Sequence, residues 1–143
     1  MYEKFTRYVI RLFDLNVDFS KMNTFISTLI TKLFVLENVE KNEKTIHLAV
    51  IYLCRIRNAI RFSHKNISWY IFASLLLTDQ IIYDVEIDYI HVYEYCENFD
   101  RDTHVRLDPK RLYKTVTLIR DKIDLSVSEE DLAAVKSVMG DGN

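Results

Sequence analysis

The side chains able to do chemistry are few and scattered. Histidines stand at His47, His64, His91 and His104, and no two lie four apart on one helix face, the spacing that a helical zinc pair requires. His47 lies beside apolar positions and reads as a structural histidine whose nitrogens are satisfied locally. Asp100 and Asp102 border a polar stretch and have the chemistry to touch a metal, but lone loop acids are ordinarily solvated. Cys54 and Cys96 sit inside apolar helical patterns, as free core thiols do. The chain has no glycine-rich phosphate loop, no HExxH, no G-x-S-x-G and no C-x-x-C. No set of residues meets a geometric requirement for catalysis, so neither an enzymatic activity nor a cofactor or small-molecule substrate is expected. One basic cluster gathers Arg55, Arg57, Arg61, His64 and Lys65. It has two readings: a solvated face with cations placed well at a helix C-terminus, or a dock for phosphate or an acidic peptide through forked arginine bonds.

The elements that must position these groups are helices. Of 143 residues only three are glycine or proline, Pro109, Gly140 and Gly142, which leaves almost nothing for tight β-turns. Composition is 49% hydrophobic and 28% charged, that of a globular chain with a sizeable core. A net charge of −2 exerts no global pull on nucleic acid or anionic lipid. The longest apolar run, WYIFASLLL from Trp69 to Leu77, falls far short of the roughly 20 residues that cross a bilayer. No membrane partner is expected, and the nucleus or cytoplasm is the expected location.

Apolar spacing marks the elements. Phe5, Tyr8, Val9, Leu12 and Phe13 form one stripe. Met22, Phe25, Ile26, Leu29, Ile30 and Leu33 form a second, with Ser20 as its expected N-cap. The polar ENVEKNEK, Glu37 to Lys44, is the expected connection to a third helix, TIHLAVIYLCRIRN, with Ile46, Val50, Leu53 and Cys54 inward. FSHKN is a turn. The fourth helix is apolar on nearly every face from Ile67 to Leu77 and must be surrounded by others. VEIDYIHVYEYCENF mixes a strand-like alternation at Val85, Ile87 and Tyr89 with helical spacing at Tyr89, Val92, Tyr93, Cys96 and Phe99. Helix is preferred, because a lone strand has nothing to pair with. DRDTHVR is the next loop. Asp108-Pro109 starts a helix with Leu112, Val116, Ile119 and Ile123 inward, and Ser128 to Asp131 is a variant capping box for a last short helix. The expectation is all-α, about five core helices with a flanking helix at each end.

TIHLAVIYLCRI resembles the second helix of a cyclin box, which in mitotic cyclins typically reads T-L-H-L-A-V-x-Y-x-x-R-F. Thr45, His47, Leu48, Ala49, Val50, Tyr52 and Arg55 match it. Without a gap, ASLLLTDQ (Ala73 to Gln80) falls on the family's A-x-x-L-L-A-S-K in its buried third helix. MNTFISTLITKL is similar to the first helix, and Ile123-Asp124-Leu125 to the family's F-D-L. The resemblance covers about residues 20–132 and implies a five-helix cyclin-box bundle over 20–126, a flanking helix over 1–19 and a short helix and tail over 127–143. A chain ending after one box is similar to single-box cyclins, such as the phosphate-pathway group.

The activity so implied is binding and activation of a cyclin-dependent protein kinase, by holding the kinase's mobile helix inward. The kinase-facing positions implied are Gln80, Ile81, Tyr83, Lys114, Leu118, Ile123 and Leu125, and the substrate-docking patch is Met22, Ile26 and Leu29. Departures accompany the match. Family cyclins usually have lysine where Gln80 stands and glutamate where Lys114 stands, a pair that helps grip the kinase backbone, and the alignment to Lys114 crosses an insertion around CENFDRD. Asn23 and Leu29 replace the docking patch's arginine and tryptophan. The alternative is a kinase-independent cyclin-box module for transcription or scaffolding. Only the Arg55–Lys65 cluster offers such a module a basic surface for nucleic acid.

Overall fold

The computed structural model describes residues 2–33, 39–103 and 106–140. Among them are seven helices and no strand: α1 (Glu3–Leu12), α2 (Phe19–Leu33), α3 (Val39–Ala59), α4 (Ile67–Ile82), α5 (Tyr89–Thr103), α6 (Pro109–Lys122) and α7 (Glu129–Gly140). No helix among the described residues is long and apolar enough to cross a membrane.

The centre is α4. Every residue from Tyr70 to Asp79 is buried, because α2, α3 and α6 pack around it and α5 adds Phe99, whose ring meets Phe72 edge-on at 6.0 Å. The third helix is nearly as deep. Leu48 to Leu53 are all buried, not only the inward positions expected from spacing, since α1, α4 and α7 cover α3 from different sides. On α6 the expected stripe holds: Leu112, Val116 and Ile119 have no exposed surface.

Capping chemistry sets several helix starts. Asp108 Oδ1 accepts from the backbone N–H of Lys110 (3.0 Å) and Arg111 (3.4 Å), with Pro109 in the first turn. Ser128 Oγ accepts from the Asp131 N–H at 3.0 Å while Asp131 Oδ2 accepts from the Ser128 N–H at 3.1 Å, the reciprocal box read from the sequence. The second helix differs from expectation. Asp18, not Ser20, is its cap, with Oδ1 accepting from the N–H of Ser20 at 2.8 Å. A carboxylate outcompetes a hydroxyl for those first amides. The third helix begins at Val39, inside the polar stretch expected as a connection, of which residues 37 and 38 lie outside the described residues. Similarly, α5 continues to Thr103 into the expected loop; charged residues such as Glu, Lys and Arg are good helix formers, so polarity alone did not end either helix.

The scarcity of glycine shows at helix ends. After α1, Asp14 takes φ 51, and the N–H of Leu15 reaches the Ile10 carbonyl at 2.9 Å while that of Asp14 reaches Arg11 at 3.3 Å. This is a Schellman ending with aspartate in the left-handed position that glycine usually fills. Asp84, at φ 53, also takes the left-handed conformation after α4.

Candidate protein interface

The last turn of α4 leaves the core at Gln80, which is half-buried, and the side chains beyond it turn outward. Ile81 and Tyr83 are each 39% exposed, and Leu118 on α6 is 37% exposed on the side opposite that helix's buried stripe. Lys114, one turn before Leu118, is exposed as well. Arg120 Nη2 donates to Gln80 Oε1 at 2.8 Å, which brings this end of α6 beside the end of α4. Of the seven positions implied by the resemblance, Gln80, Ile81 and Tyr83 lie at the end of α4, whereas Lys114 stands one turn after Arg111, which bonds Asn66 at the start of α4 at 2.8 Å.

Two others pack inward. Ile123 is buried at 9% exposure, because its backbone turns extended after α6 and its side chain completes the helix's inner stripe. Leu125 is half-buried against the core, and its carbonyl accepts from the Tyr52 hydroxyl at 2.9 Å. Burial pushes that hydroxyl up to about 12, so it stays a donor at any physiological pH.

Gln80 has an internal task. Its Oε1 also accepts from the Ile87 N–H at 3.1 Å, and Arg120 Nη2 donates to the Ile87 carbonyl. Arg120 Nη1 lies 3.8 Å from Glu86. With the Ile87 side chain only 1% exposed, the connection after α4 is pinned from both its polar and its apolar side. Fixed this way, it presents Tyr83 and Val85 outward.

Beyond it, α5 adds apolar surface. Val92, Cys96 and Phe99 are buried, but Tyr93 is 46% and Ile90 64% exposed. Tyr89 lies edge-on to Tyr113 of α6 at 5.5 Å and near Tyr93 at 6.4 Å. From the mixed pattern, only Ile87 of the alternating trio enters the core. A sequence signal for this face existed: Asn66 to Asp100 contains no lysine or arginine.

The substrate-docking patch is not available on this fold. Ile26 and Leu29 have no exposed surface and Met22 is half-buried, because the apolar stripe of α2 is the face that packs on the bundle. The basic cluster divides. Arg55 leaves it: Nη1 donates to the carbonyls of Asp124 and Ser126, the latter at 2.8 Å, and Nη2 lies 3.4 Å from Asp131 Oδ2. It ties down the segment between α6 and α7. Arg57, Arg61, His64 and Lys65 remain exposed, the His64 ring stacked on Phe62 at 6.5 Å.

Both cysteines are free; burial pushes the Cys96 thiol up to about 11, far from the thiolate that chemistry requires. The Tyr8 hydroxyl lies 2.8 Å from Cys54 Sγ. Burial lowers the pKa of His47, so the neutral ring is favoured. Among the described residues no three His, Cys, Asp or Glu side chains gather to hold a metal, and His104 lies outside those residues. No protein-family model, curated protein or solved structure matches the chain.

Proposed function

We propose that this chain is a cyclin-like regulatory subunit, which binds a cyclin-dependent protein kinase and holds its mobile helix in the inward position. On this reading α2 to α6 are the five helices of a cyclin box, and α1 and α7 flank it. The observation that carries it is the exposure of Ile81, Tyr83 and Leu118, at positions the resemblance assigns to the partner, beside the buried Leu77, Val116 and Ile119. A second feature supports it. Tyr52 and Arg55, which match the family's Y-x-x-R, bond to the carbonyls of Leu125, Asp124 and Ser126, so two separately matched stretches meet in space.

The mechanism is population shift. Moving a kinase from 1:99 to 99:1 in favour of the inward state takes about 5.5 kcal/mol of differential binding. A few apolar anchors within a polar rim supply energies of that order. The ridge from Tyr83 to Val85 is fixed before the partner arrives, which lowers the entropy lost on binding.

Tagged protein should retain a cyclin-dependent kinase from an extract and raise its activity. Ile81→Glu with Leu118→Glu should abolish retention while leaving helical content unchanged by circular dichroism. If no kinase of this class is retained, the activator role fails. One observation favours the second reading, a kinase-independent module: Gln80 Oε1 is already engaged by Ile87 and Arg120. Under that reading the same double variant loses other partners and the wild type never retains a kinase.

A further inference from the structure

We infer that the outer surface of residues 84–97, the α4–α5 connection and the first turns of α5, docks a cationic polypeptide segment of another protein that carries an apolar anchor. The inference shares Val85 with the ridge of the kinase reading but needs no kinase to test it. Its apolar component is Val85, Tyr89, Ile90 and Tyr93, exposed by 43%, 36%, 64% and 46%. Ile90, Tyr93, Glu94 and Glu97 fall at helical spacings of three, four and seven, so they line one stripe of α5. The inner stripe of the same helix, Val92, Cys96 and Phe99, is already used by the core.

The charge around that stripe is one-sided. Asp84, Glu86, Asp88, Glu94 and Glu97 are all exposed, and lysine and arginine are absent from Asn66 to Asp100. Four groups offset them. Arg120 approaches Glu86 at 3.8 Å and is only 23% exposed, His91 pairs with Asp88 at 2.8 Å, Arg101 stands one turn after Glu97 in the last turn of α5 and bonds Asn98 at 2.9 Å, and Arg106 shares a cleft with Glu97 and Asp100 at the far end of α5. An apolar centre with an acidic rim repels phosphate and matches lysine or arginine flanking an apolar residue. Opposite potentials speed encounter, and the buried anchor slows release.

The test uses the full chain and a fluorescein-labelled twelve-residue peptide alternating lysine or arginine with leucine. Two controls replace its cations by glutamate or its leucines by serine. Fluorescence anisotropy should show binding of the cationic apolar peptide only, weakening as salt rises from about 0.05 to 0.3 M. Ile90→Asp, and separately Glu86→Lys with Glu94→Lys, should each weaken it by about tenfold or more. Glu129→Lys with Glu130→Lys, an equal charge change at the start of α7, should leave it unchanged, which separates a local site from general attraction. Equal binding of the glutamate or serine peptide overturns the inference, as does indifference to the α5 variants. So does a concentration-dependent dimer in sedimentation velocity that Glu94→Lys dissolves, because the occupant is then a second copy docking through Arg57, Arg61 and Lys65.

Discussion

Two connections in this molecule are held by the same device and put to opposite uses. Between α4 and α5, Ile87 is buried, Arg120 donates to its carbonyl and to Gln80, and Gln80 accepts from its N–H. Between α6 and α7, Ile123 is buried, Arg55 donates to the carbonyls of Asp124 and Ser126, and Tyr52 donates to that of Leu125. Each arginine also faces a carboxylate, Glu86 or Asp131. Backbone carbonyls drawn against a core need partners, and the planar five-donor guanidinium can serve several at once. The apolar neighbours then diverge. Tyr83 and Val85 point outward, while Leu125 and Val127 pack on the core and lead into α7. One anchor displays a ridge, and the other closes the bundle.

The largest test of that contrast truncates the two isoleucines. Ile87→Ala and Ile123→Ala should each cost about 3 kcal/mol in urea denaturation, the usual loss for a buried isoleucine. Their effects on partner capture should differ. Ile87→Ala loosens the displayed ridge and should reduce retention of partner, whereas Ile123→Ala, matched in stability, should not. Equal loss of capture would return Ile123 to the interface and break the contrast.

Replacing the arginines by lysine is a smaller perturbation, about 1–2 kcal/mol each, because a point charge cannot fork between two carbonyls. Arg120→Lys should speed amide hydrogen exchange at Ile87, and Arg55→Lys should speed it across α7. Arg120→Lys and Gln80→Ala should be non-additive, since Arg120 and the Ile87 N–H share the same Oε1. Additive losses would mean that the α4–α5 connection is not one network.

The same contrast explains what the sequence made legible. The central place of α4 followed from an apolar run too long for one face, and the starts of α6 and α7 followed from Asp108-Pro109 and Ser128–Asp131, where the cap is local. Ile81, Tyr83 and Leu118 came out exposed, but only the resemblance had singled them out; apolar type does not distinguish an inner from an outer residue. The internal bonds of Arg55 and Gln80 were not legible, for a tertiary reason. A long polar side chain at a helix end can reach solvent, a partner or a backbone segment seventy residues away, and local composition is the same in all three cases. Ile26 and Leu29 were misassigned because the stripe that a docking patch needs is also the stripe that a core needs.

The smallest expected effect is on pH. The Asp124 carboxyl is held below its usual range first by the Ser126 N–H, with Oδ1 accepting at 2.9 Å, and the Asp131 carboxyl by the Ser128 N–H at 3.1 Å, with Arg55 adding charge to both. The Asp88 carboxyl is likewise lowered, first by the His91 N–H at 3.0 Å. A carboxyl depressed in the folded state binds fewer protons there than when unfolded. Its contribution is therefore complete above the unfolded value near 3.8 and is lost as pH falls through the folded one. Two such groups guard the α6–α7 connection and one guards the start of α5, so acid should loosen α7 first. Hydrogen exchange followed from pH 5 to pH 3 should show α7 amides losing protection before those of α5, and Asp124→Asn with Asp131→Asn should flatten the difference, since asparagine keeps the acceptor but does not titrate. Earlier opening of α5 would show that the displayed connection, not the closing one, depends more on its carboxylates.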